Sequence, residues 1–100
     1  IPFEEKYVTQ YAFDVMVPLV QDGLALGLSS KEMVYALFLM AETVKEYAII
    51  TDNGTEEDYK DVYSWSKKNG EDWIEKVKES GILEKVKDII KGMKKPEDKS

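Results

Sequence analysis

Residues 29–50 read SSKEMVYALFLMAETVKEYAII, and this stretch decides the fold. Ser29 followed three residues later by Glu32 is a capping-box pattern: a hydroxyl accepts from the N3 amide while the N3 carboxylate reaches back to the cap amide. Residues 27–30 are therefore expected to form a turn, with a helix beginning near Lys31 and running to about Ile50. Met33, Val34, Leu37, Met40, Ala41, Val44 and Ala48 recur at helical spacing and make its main apolar face. Tyr35, Phe38 and Leu39 lie on another side, among Glu42, Lys45 and Glu46. A helix that is apolar on two sides needs two covers, either a central place in its own domain or another chain.

Working towards the N-terminus, residues from Phe3 to about Asp22 also follow helical spacing on two stripes. One holds Tyr7, Val8, Tyr11, Val15 and Leu19, the other Phe13, Val17, Val20 and Leu24. Pro18 has no amide hydrogen to give the carbonyl four residues back, so a kink or interruption is expected there. Working towards the C-terminus, Thr51-Asp52-Asn53-Gly54 supplies stop chemistry, and Thr55 with Asp58 starts a third helix. Asn69-Gly70 is read as its end. A short fourth helix then presents Trp73, Ile74 and Val77 until Ser80-Gly81. A fifth carries Ile82, Leu83, Val86, Ile89, Ile90 and Met93 on one side. The expectation is an all-α fold, a compact bundle of four to five helices with the first two long and the last two short and amphipathic. Residues 1–95 form one helical domain in this reading, and 96–100 a disordered polar tail.

Composition removes whole classes of chemistry. The chain has no cysteine, no histidine and no arginine. Thiolate nucleophiles, disulfides and thiolate or imidazole metal sites are excluded, as is bidentate guanidinium recognition of phosphate. The net charge of −6 disfavours nucleic-acid binding, whose affinity comes mainly from cationic surface. Charge is uneven: residues 1–75 hold six lysines against fifteen acids, and 76–100 hold eight against five. No apolar run approaches the ~20 residues of a membrane-spanning helix, so a soluble, cytoplasmic protein is expected. The N-terminal Glu4 and Glu5 do not fit a secretory signal. Lysine used to the exclusion of arginine matches an AT-rich genome such as that of a phage.

One constellation has catalytic chemistry in it. Glu42 and Glu46 stand a turn apart, and Glu57, Asp58 and Asp61 follow in the next helix; convergent carboxylate oxygens are what Mg²⁺ takes when it bridges to substrate phosphates. This is the alternative reading, a Mg²⁺-dependent nucleotide phosphohydrolase. The spacing departs from the paired ExxE and ExxD of MazG-type pyrophosphatases, since Glu42 and Glu46 are ExxxE. Acidic residues at a helix start also have a simpler role as partners of its dipole. An acidic inhibitor or nucleic-acid mimic encoded by a phage is a second alternative.

The preferred expectation is a non-enzymatic protein–protein interaction module without cofactor or metal, self-associating as a homodimer and meeting an unidentified protein partner. Phe13, Val17, Tyr35, Phe38 and Leu39 are the expected interface residues, being large apolar side chains off the principal core stripes.

Overall fold

The computed structural model describes residues 4–95. The expected tail at 96–100 and the expected helix start at Phe3 lie outside them. All four α-helices are where hydrophobic periodicity places helical sequence: α1 (Glu5–Ala25), α2 (Ser30–Asp52), α3 (Lys60–Ser80) and α4 (Ile82–Gly92), with a single 3₁₀ turn at Glu56–Asp58 before α3. The described residues contain no β-strand; Ser29 and Lys94 form an isolated bridge, in which the Ser30 amide donates to the Lys94 carbonyl at 3.2 Å.

The α1–α2 corner is specified residue by residue. Gly27 has φ +78°, its amide donates to Leu24, and the Leu28 amide donates back to Gly23. This is the Schellman pattern, which needs a left-handed residue and so favours glycine. Ser29 then caps α2: the Glu32 amide donates to Ser29 Oγ at 3.1 Å and the Ser29 amide donates to Glu32 Oε1 at 2.8 Å. Hydrogen bonding to the carboxyl from Ser29, its backbone amide first and its hydroxyl second, holds Glu32 below its ordinary 4.5. A depressed folded-state pKa contributes stability that is present above the unfolded value and lost as pH falls through the folded one. Stability is therefore expected to decline as pH drops below about 4.5. Ser29→Ala, which removes the hydroxyl half of the box, should cost about 1 kcal/mol in urea unfolding at neutral pH.

Three expectations are corrected. A break at Asn69-Gly70 does not occur, and α3 passes through both residues, so the described residues hold three long helices and one short one. Asn69 Nδ2 donates to the Trp65 carbonyl one turn back at 2.9 Å, which uses the side chain inside the helix. Gly70 keeps a negative φ. Its propensity cost of about 1 kcal/mol is outweighed by the packing of Trp73 and Val77 beyond it. Of the kink or interruption expected at Pro18, the interruption does not occur, since α1 is continuous to Ala25 with Pro18 on an exposed side. Thr55 and Asp58 begin the 3₁₀ turn, with the Thr55 amide donating to Asp58 Oδ2 at 2.8 Å, and α3 starts after it.

The core sits at the junction of three helices. Val20 of α1, Met33 of α2 and Met93 just after α4 are buried together, with Leu19, Leu28 and Ile89 packed against them. Gly23 makes this approach possible, because a Cβ there would lie 2.6 Å from Met33 Sδ. The closest helix packing joins α1 with α4 and α3 with α4, where Val77 and Val86 are buried. Helix α2 enters the core only through its N-terminal end and then runs out beyond it. The bundle is consequently more open than expected. Its radius of gyration is 15.3 Å, against about 13 Å for a compact domain of this length. Its exposed area of 8021 Å² compares with about 5,800 Å² for a compact monomer of this mass.

Candidate interaction surface

Beyond Met33, most of the large apolar side chains of α2 are uncovered, Ile49 being half-buried. Val34, Tyr35, Leu37, Phe38, Leu39, Met40, Val44, Tyr47 and Ile50 are all exposed, Val44 at 70% and Tyr47 at 66%. One side of the helix does face its neighbours. The Phe38 ring lies 6.4 Å from Tyr63 of α3 with the planes tilted by 53°. Lys45 Nζ reaches Glu42 on its own helix and Glu56 of the 3₁₀ turn, each at 3.1 Å. Those carboxylates, Glu56 first, hold the lysine protonated above its ordinary 10.5. Lys67 Nζ stands 5.5 Å from the centre of the Tyr63 ring. Between α2 and α3 a trough of about 990 Å³ remains, floored by Phe38, Ala41, Val44, Val62 and Tyr63. A smaller cleft of about 530 Å³ separates α1 from α3 and is lined by Val8, Ala12, Trp65 and Trp73. The two share Val62 and Ser66.

At 100° per residue, the α2 positions turned from Phe38 and Lys45 are Met33, Leu37, Met40, Val44 and Tyr47. The charged residues of α2 beyond Met33, namely Glu42, Lys45, Glu46 and the terminal Asp52, all lie off that stripe. Helix α2 thus turns Phe38, Ala41 and Lys45 towards α3 and carries an uncharged apolar stripe beside them, of which Met40 and Val44 also line the trough between the two helices.

The expected interface residues divide. Tyr35, Phe38 and Leu39 are exposed on α2. Phe13 is half-buried, its ring 4.8 Å from that of Trp73, so it is committed within the chain, and Val17, one turn on along α1, is half-buried as well. Sequence periodicity assigns Met40 and Val44 to the internal core and passes over Tyr47. Their common signal is nonetheless present in the chain: the charges among residues 42–46 avoid that stripe.

The carboxylates of the phosphohydrolase reading are spread over separate tasks. Glu42 pairs with Lys45, Glu57 pairs with Lys60, Asp58 caps the Thr55 amide, and Glu46 and Asp61 are exposed. Among the described residues, no group of three or more His, Cys, Asp or Glu side chains is placed to hold a metal ion. Titration calorimetry with Mg²⁺ is expected to give no saturable heat at micromolar concentrations. Micromolar binding abolished by Glu46→Gln or Asp61→Asn would contradict this.

Among the described residues no helix is long and apolar enough to cross a membrane. Comparison with protein-family models, with curated proteins and with solved structures finds no match to this chain.

Proposed function

We propose that this chain is a non-enzymatic protein–protein interaction module, acting in the cytoplasm, whose working surface is α2 and which self-associates as a two-fold dimer. The observation that carries this reading is the exposed apolar surface of α2. Nine large apolar side chains stand exposed on that one helix. They point in several directions around the helix, and Leu37, Met40, Val44 and Tyr47 among them share one side. Monomeric proteins rarely leave an apolar patch beyond about 300–600 Å² uncovered.

A second copy is the occupant that needs no further molecule. Under closed two-fold symmetry one patch serves both partners. Apolar area covered on both chains, at ~25 cal/mol per Å², is what offsets the about 4–15 kcal/mol of freedom lost on association. The acids of α2 lie off the stripe, so the contact buries none of them. Sedimentation equilibrium between low and high micromolar concentration tests the proposal. Twice the chain mass of 11.5 kDa is expected at the upper end, and a monomer throughout would defeat it.

A further inference from the structure

We infer that the dimer is built on an antiparallel pair of α2 helices, with a seam running from Leu37 to Tyr47 and the two-fold axis passing at the level of Glu42. This rests on the proposed self-association and adds its geometry.

The first support is spacing. Met33, Leu37, Met40, Val44, Tyr47 and Thr51 are separated alternately by four and three residues, the 3.5-residue period of a helix paired along its whole length. An internal core helix needs no such regularity, and only Met33 of this series is buried in the chain's own core. The flanks are the second support. Positions beside a coiled-coil seam are commonly Glu or Lys; here they are Val34, Ala36, Ala41, Thr43, Ala48 and Ile50. Not one is charged, and four of them are small. Small flanking residues let two helix axes approach to the short end of the usual 8–10 Å range.

The orientation follows from what occupies each end of the stripe. At its N-terminal end Met33 is packed between Val20 of α1 and Met93 after α4, so those elements already cover the seam there. A parallel partner would bring its own α1 and α4 to the same end, where the two sets would compete for one space. An antiparallel partner presents the end of its α2 instead, which turns away at Asn53 in the left-handed conformation. The uncovered seam, residues 37–47, is centred on residue 42, as a two-fold axis crossing the helix requires. Leu37 then faces Tyr47 of the second copy, and Met40 faces its Val44. Antiparallel helices also set their dipoles head to tail.

The absence of native cysteine makes the test clean. Leu37→Cys and Tyr47→Cys chains are prepared separately, each checked for helical content by circular dichroism, then oxidised alone and after mixing. The antiparallel seam predicts a disulfide-linked dimer containing one chain of each kind in the mixture, at least tenfold above the yield from either chain alone. Met40→Cys with Val44→Cys repeats the test one layer nearer the axis and serves if either outer variant loses its fold. Efficient linkage of each variant to itself would establish the parallel pairing and overturn the inference. Absence of any linkage in a chain that sediments as a dimer would also overturn it, leaving self-association intact. A monomer in sedimentation would instead remove the reading on which it rests.

Discussion

Val44→Glu is expected to convert the dimer into a folded monomer. Val44 is 70% exposed within the chain, so in the isolated subunit a carboxylate there meets water, and an exposed substitution of this kind shifts stability by about 0.5 kcal/mol or less. In the dimer the same position is enclosed by apolar side chains, and the two-fold axis places two such charges in one seam. Burying an unpaired ion costs several kcal/mol even after relaxation. Each ~1.4 kcal/mol is a factor of ten in affinity, so the dissociation constant should rise by about two orders of magnitude or more. The expected result is a monomer by sedimentation with an unchanged helical spectrum. Unfolding would mean that Val44 belongs to an internal core.

Met33→Ala tests the opposite end of the same stripe and should act on folding instead. Met33 is the point at which α2 enters the core, buried against Val20 and Met93. Truncating a buried methionine to alanine costs about 2–5 kcal/mol in lost transfer energy and residual cavity. Domains of this size are stable by only about 5–15 kcal/mol, so a large part of the total is at stake. The urea midpoint should fall with little change in slope. Gly23 presses on the same sulfur: a Cβ there would lie 2.6 Å from Met33 Sδ, so a chain already carrying Met33→Ala should tolerate Gly23→Ala better than the native chain does. An effect of Met33→Ala below about 1 kcal/mol, under the range for a buried methionine, would show that this junction is not what anchors α2.

Much of the fold was legible where local chemistry decides it. The Ser29–Glu32 capping box and the Gly27 corner need only neighbouring residues, and both stand in the structure as read. The stop at Asn53 stands too, because a left-handed Asn ends a helix without tertiary help. Asn69-Gly70 resembles such a stop and is not one. Its outcome depends on the Trp65 carbonyl accepting from Asn69 and on Trp73 packing against Phe13 of a distant helix. Neither contact is visible in local sequence.

The candidate surface was half legible for a related reason. Hydrophobic period shows that Met33, Leu37, Met40 and Val44 share a side, but not how far along α2 the other helices extend. Of these, only Met33 is buried by them. The stripe expected to be core becomes surface within one turn, and Phe13, expected at the surface, is drawn inward by Trp73. The more informative pattern is that of the charges. Lys45 marks the side of α2 that faces the bundle by tying the helix to Glu56, while Glu42 and Glu46 stand exposed.

Hydrogen–deuterium exchange measured at two protein concentrations tests the central claim most directly, because it reads association and its location together. Amides of residues 37–47 lie on a helix held by its own bundle only at one end and along one side, so they open locally at modest cost in the monomer. The account predicts that their exchange slows as concentration is raised through the dimerisation range, while amides around Val86 in the α3–α4 packing do not respond. Exchange along α2 that is independent of concentration in that range would contradict it.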